Sequence, residues 1–314
     1  MARYLASRIG QAALVLWVAF TISFILLQVL PGDAILIKFQ SADLGLSAGQ
    51  IAEIRLAYGA DAPIWSQYAH SIGNYLSGDF GISIQAGVPV SEQLRTNFPV
   101  TLRLASCGFA LAVLLAIGIA FLSNLAPMAW LRTALQALPS LFISVPVFLL
   151  GIVLIQVVSF RLRLIPVIGA GEWQGLILPM ATLAVPISAP LAQVLIRGID
   201  ETRTQPFVAV ARAKGASQSR VLWRHVARNA ALPALTIAGI LLGELLAGAV
   251  VTETVFGLNG VGQLTQQAVS NQDTAVLQAV VVISAAGFVA INLIVDLLYP
   301  VLDPRIRKRI GAAA

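Results

Sequence analysis

The residue with the most chemical leverage in this sequence is Glu244, a carboxylate in the middle of an otherwise charge-free run from Asn229 to Thr252. An ionised acid near the centre of a membrane-length apolar helix costs roughly 2.5–3.5 kcal/mol on insertion scales. Such a group faces a cavity or a partner. Two readings stand side by side: contact with a substrate amine or metal cation along a path, or a structural hydrogen bond, the carboxyl ionised or protonated. Glu253 and Phe256 close the same run. An external gate and ordinary helix-end solvation are both open for them. Asn292 and Asp296 are four apart and so share a helix face, with Asp296 close to the end of its run. The remaining inventory is thin. His70 and His225 lie far apart, and the one cysteine, Cys107, sits in an apolar stretch. A metal site, a His-based catalytic group and an internal disulfide are all unsupported.

A second constellation is basic. Thr204-Gln205-Pro206 opens a helix-compatible run to Lys214, and proline is pre-organised for helix entry. Gly215 then permits a sharp turn or a left-handed cap. From Gln218 to Asn229, helical spacing gathers Val221, Leu222, His225 and Val226, and places Arg220, Arg224 and Arg228 on one strip. Two short helices around a glycine break would serve as a docking site for another protein or as a basic loop against anionic headgroups.

The elements that hold these residues follow from composition. Of 314 residues, 58% are hydrophobic and 11% charged, with a mean hydropathy of +0.86. Soluble domains run at about 45–50% apolar and about 25% charged. So few charges cannot cover a water-facing surface, which excludes a soluble enzyme, a disordered chain and a secreted disulfide scaffold. Crossing a bilayer takes roughly 20 apolar residues of helix. Windows of that length predict six transmembrane helices, at about 9–31, 100–124, 133–158, 175–197, 231–252 and 274–299, in a single domain over 1–314. The first window is too long for a signal-peptide core and is read as a retained span. Prolines 139, 146, 179, 186 and 190 would kink or interrupt the third and fourth helices.

Orientation follows from the basic residues. With a cytoplasmic N-terminus, the inside holds Arg3 and Arg8, Arg132, seven Lys/Arg between Arg197 and Arg228, and four after Asp303, which is 14 of the 20. The inside then carries about +11 and the outside about −3. The net charge of +6 is thus a topology signal, and no nucleic-acid partner is implied. Both termini fall inside. Residues 32–99 form an external cap whose aromatics Tyr58, Trp65, Tyr68, Tyr75 and Phe80 argue for packing, and residues 198–230 form a cytoplasmic loop.

That loop resembles the cytoplasmic loop of permeases of ATP-binding-cassette importers. The matching residues are Ala209-Val210-Ala211-Arg212-Ala213-Lys214-Gly215, followed by His225-Val226-Ala227-Arg228-Asn229-Ala230-Ala231-Leu232-Pro233. The family's leading Glu is replaced by Ala209, and the spacing from Gly215 to Pro233 is long. Both departures resemble the branch importing dipeptides, oligopeptides, glutathione and nickel. Leu30-Pro31-Gly32-Asp33, Pro63 to Tyr68, Gly78 to Ser83, Gly248 to Gly257, Asp296 to Tyr299 and Leu302-Asp303-Pro304-Arg305 agree with that branch. Asn259-Gly260 stands where the family has Pro-Gly. The resemblance covers essentially the whole chain and points to the first of two permeases.

The resemblance implies a type I importer fold, an all-α polytopic membrane protein of the bacterial plasma (inner) membrane. It implies a second homologous permease, two ATPases and an external substrate-binding protein as partners. ATP and magnesium would belong to the ATPases, since this chain lacks a G-x-x-x-x-G-K-[ST] loop, and the chain itself would be no enzyme and bind no cofactor or metal. It would form half of a path for dipeptides, oligopeptides or a related small solute. ATP-driven motion of the ATPases must reach the spans through a stiff two-state element. By resemblance that element is a coupling helix over Ala211 to Ser217. Small Ala209, Ala211, Ala213 and Gly215 would allow close approach, Arg212 and Lys214 would pair with acids, and Ala216 and Ser217 would complete the contact. Path candidates are Glu244, Glu253, Phe256 and Asn292. A proton-coupled secondary transporter using Glu244 is the alternative, although no inverted repeat is evident.

Overall fold

The computed structural model describes residues 2–29, 49–50 and 62–302. Part of the expected cap, including Gly32, Asp33 and Tyr58, lies outside the described residues, as do Leu30, Pro31 and the chain from Asp303 onward. The described residues are helical apart from turns, bends and one isolated bridge between Ile82 and Pro89. In chain order the helices are α1 (Ala2–Val29), α2 (Ile64–Leu76), α3 (Val90–Leu125), α4 (Ala129–Ser144), α5 (Val147–Leu154, widening into π-type turns over Ile155–Arg161), α6 (Gln174–Arg203), α7 (Pro206–Ala213), α8 (Gln218–Val221, with π-type turns over Leu222–Val226), α9 (Ala227–Phe256), α10 (Val261–Ser270) and α11 (Thr274–Leu302).

Among the described residues four helices are long and apolar enough to cross a bilayer: α1 over Ala6–Leu27, α3, α6, and α11 over Thr274–Val295. Two bent pairs also qualify, Ala129–Ser144 with Val147–Arg161, and Gln218–Ala231 with Pro233–Leu245, which brings the number to as many as six. The first pair covers the third span expected over 133–158 and is interrupted there, as its prolines predict. It bends by 102°. The cause is Pro146, whose ring pushes the preceding Val145 to an extended φ −93°, ψ 119°. By contrast α6 runs unbroken through Pro179, Pro186 and Pro190, so the interruption expected there does not occur. Several helices also outrun their apolar windows. α3 starts at Val90, with Glu92 in its first turn where an acid suits the helix dipole, and α6 continues to Arg203.

The chain forms two compact units. One comprises Met1–Tyr4, Thr101–Leu258 and Ala290–Ala314; the other Leu5–Val100 and Asn259–Val289. In the first, α9 packs along α6, and α4 and α5 pack against α6. Small residues set these approaches: a Cβ on Gly198 would lie 3.2 Å from the Ala230 backbone, and one on Gly108 would lie 3.2 Å from Leu183. Gly239 meets Val295 and Gly248 meets Leu183 in the same way. The core at the end where α3 and α6 terminate includes Ile119, Ala120, Leu191, Ile196, Ile199, Val208, Val221 and Val226.

In the second unit, Phe20 and Phe24 of α1 meet Tyr68 of α2 edge-on, and Phe20 also meets Tyr75. Thr21 and the Tyr68 hydroxyl share a 2.8 Å hydrogen bond. Burial pushes the Tyr75 hydroxyl pKa above its ordinary range. Val90 and Leu94 pack with Val261, Leu264, Ala268, Val276 and Val280. Within that layer Ser83 donates to Asp273 at 2.5 Å, both residues being buried. Asp273 also accepts the Gln85 N–H at 3.3 Å and, at 3.4 Å, the Val276 N–H in the first turn of α11.

Candidate functional site

The segment after α6 folds as its punctuation dictates. Pro206 occupies the first turn of α7, where a missing N–H costs nothing. At the other end Gly215 adopts φ +79°, and the Ala216 N–H reaches back to the Ala211 carbonyl at 3.2 Å. This six-to-one bond with a left-handed residue is a Schellman termination, which glycine makes without a Cβ penalty. Ser217 then caps α8, its hydroxyl accepting the Arg220 N–H at 3.3 Å. The short helix is therefore Pro206–Ala213, not the expected Ala211–Ser217. Ala211 to Ala213 are its last turn and Lys214 to Ser217 the connection, because proline fixes the start and glycine the stop.

The helix is two-faced. Val208 is 1% exposed and belongs to the core; Ala211 and Ala216 pack against that core. Ala209, Arg212, Ala213, Lys214, Gly215 and Ser217 are exposed. Of the residues expected at a docking surface, Ala211 and Ala216 thus face inward. Phe207 and Val210, which the sequence reading passed over, are 42% and 54% exposed. Three apart, they form an apolar ridge on the side of the helix that leads to Lys214.

Polar groups tie this segment to the rest of its unit. Asn124, next to last in α3, is 4% exposed. Its Nδ2 donates to the Ala120 carbonyl at 2.9 Å, and its Oδ1 accepts from Nη1 of Arg203, the last residue of α6, at 2.7 Å. Its main-chain carbonyl accepts from Gln218 Nε2 at 3.3 Å. That carbonyl is one of the four that a helix leaves unpaired at its C-terminus. α8 therefore caps α3. Arg212, Arg132 and Asp200 are charged neighbours of Arg203, and Arg132 pairs with Asp200 at 3.2 Å. Phe121 and Trp223 stack with centroids 4.1 Å apart. In the sequence Asn124 reads only as a turn signal beside Pro127. An amide at the close of an apolar run, with an arginine at the close of another, was the available clue.

The path candidates separate. Glu244 and Glu253 are nine residues apart on α9, which at 3.6 residues per turn puts them on opposite faces. Glu244 is exposed, as are Thr236, Ile240 and Val251 on its side, while Leu241, Leu245, Ala249 and Thr252 are buried on the other. Glu253 is fully buried and accepts the Thr101 hydroxyl at 2.6 Å. It is therefore not solvated at a helix end, because α3 covers it. Phe256 packs on Gly151 of α5, where an added Cβ would lie 3.3 Å from its ring. Gly257 then ends α9 at φ 65°, with the Leu258 N–H bonded to the Glu253 carbonyl at 2.9 Å. Asn292 is half-buried on α11, and the side chain of Asp296 lies outside the described residues.

Comparison with known proteins bears on this arrangement. Residues 96–308 match the family model described as binding-protein-dependent transport system inner membrane component. The glutathione transport system permease protein GsiC of Escherichia coli (strain K12) is 33% identical over 310 residues, covering 98% of this chain and 100% of that protein. The GsiC of Salmonella choleraesuis (strain SC-B67) is 35% identical over the same coverage. Among solved structures, the inward-facing MetNI methionine ABC transporter superposes with a TM-score of 0.57 at 19% identity, covering 67% of this chain and 96% of that one. An amino acid ABC transporter with histidines gives 0.53 at 15% identity, covering 67% and 94%. These two likenesses concern the fold. These likenesses lend no support to a proton-coupled carrier.

Proposed function

The chain belongs to the family of inner membrane components of binding-protein-dependent transport systems, and from that premise we propose that α7 is the element through which a partner ATPase drives it. The chain is the permease component of an ATP-binding-cassette importer, a multi-pass inner-membrane protein that works with ATPase and substrate-binding partners. The carrying observation is the two-faced α7: Val208 anchors it, while Phe207 and Val210 stand exposed on a helix that also exposes Arg212 and Lys214. Apolar side chains exposed on an anchored helix, flanked by charges, suit a protein groove better than water.

In this reading each bent pair is one span, making six, with both termini and α7 on the cytoplasmic side. A second homologous permease and two ATPases complete the membrane complex. The chain hydrolyses no ATP and binds no cofactor; ATP and magnesium stay with the ATPases. The substrate class is dipeptides, oligopeptides or a related small solute such as glutathione, a reading supported by likeness to glutathione permeases along almost the whole chain. Glu244 lines the path, since facing lipid would cost the insertion penalty, whereas Glu253 and Phe256 hold the outer end of α9. The test is purification of the tagged chain from its native membrane in mild detergent, with mass spectrometry of what accompanies it. A second permease and nucleotide-binding subunits are expected; recovery of this chain alone, where a known importer stays intact, would overturn the proposal.

A further inference from the structure

Beyond docking, the geometry points to Asn124 as a positioning residue that carries the motion of α7 into α3; this rests on the proposed ATPase contact. α7 is joined covalently to α6, so displacement of α7 reaches α6 without help. α3 is remote in sequence. Its link to the segment is a set of non-covalent contacts centred on Asn124. The buried side chain takes a charge-assisted hydrogen bond from Arg203 at 2.7 Å, and the main-chain carbonyl takes a second bond from Gln218 at 3.3 Å. Arg203 lies just before α7 and Gln218 just after it. One buried residue therefore holds both flanks of the moving helix. The Arg203 cation also meets two helix C-termini, its own and that of α3, where negative partial charge gathers. Trp223 on Phe121 adds a stacked contact three residues up the same helix. Motion of the α7 flanks must drag the end of α3 or break these bonds, which is what a two-state transmission element requires.

The test follows the end of α3 directly and needs no knowledge of the solute. In a Cys107→Ser background, an environment-sensitive fluorophore is placed on Leu122→Cys, an exposed position on α3. The complex with its ATPases is studied in nanodiscs, with and without ATP plus vanadate. The parent is expected to show a nucleotide-driven emission change. Asn124→Ala should reduce it by roughly fivefold or more, the low end of coupling between sites, with ATP hydrolysis retained. Asn124→Asp, which still accepts from Arg203, should restore it. Should Asn124→Ala fail to assemble, Gln218→Ala, at an exposed position, is expected to diminish the change in part. A full response in Asn124→Ala or, where that variant does not assemble, in Gln218→Ala, or no response in an assembled parent, would overturn the proposal. A parent that captures no ATPase would instead overturn the docking reading.

Discussion

Two regions of this protein bury polar groups in different ways. In the unit holding α2, α10 and the start of α11, Asp273 gathers a hydroxyl and two main-chain N–H groups, one of them at a helix N-terminus, into one closed knot. At the end where α3 and α6 terminate, Asn124 joins three segments, and the short helix between two of them leaves Phe207 and Val210 uncovered. A closed knot holds a shape. A buried link whose tethered segment carries an uncovered apolar ridge holds a shape that something else can pull on. The same contrast recurs within α9, where Glu253 is buried under a hydrogen bond and Glu244 stands on the opposite, exposed face.

This contrast can be broken by substitution. The largest stability effect is expected at the knot: Asp273→Ala strands two buried donors and removes a cap, and should cost about 2–3 kcal/mol, read as a lowered Tm of the detergent-solubilised protein. Next comes the pair on α9. Glu253→Ala should destabilise by about 1–3 kcal/mol by removing a buried side chain together with its hydrogen bond from Thr101. Glu244→Gln should leave Tm unchanged and reduce uptake of a peptide substrate in proteoliposomes. Equal stability losses at the two sites would remove the distinction between them. Gly215→Ala forces a side chain into the left-handed region at about 1–2 kcal/mol, expected as faster hydrogen exchange across α7 and α8. The smallest effect is at Trp223→Ala, where losing the stack on Phe121 should cost about 0.5–1.5 kcal/mol beyond lost area.

What could be read in the sequence was what is local. Apolar runs mark the spans because a bilayer imposes length one segment at a time. Pro206 and Gly215 mark the ends of the short helix region because each acts on its own backbone. The helix follows that punctuation over Pro206–Ala213 and not the Ala211 to Ser217 range that the resemblance implies. Phe207 and Val210 were missed because exposed and buried apolar residues look alike until the opposite face, here Val208, is seen to be occupied. Asn124 was missed for a different reason: its partners arrive from 79 and 94 residues away. The burial of Glu253 likewise depends on Thr101, 152 residues earlier.

The most direct test of the central claim is site-specific photo-crosslinking from α7 in the native membrane. A photoreactive residue at Val210 is compared with one at Ile168, which is 88% exposed in the connection between α5 and α6. The account predicts an adduct with an ATPase subunit from Val210 and none from Ile168. Adducts from Val210 confined to lipid, or ATPase adducts from Ile168 alone, would contradict it.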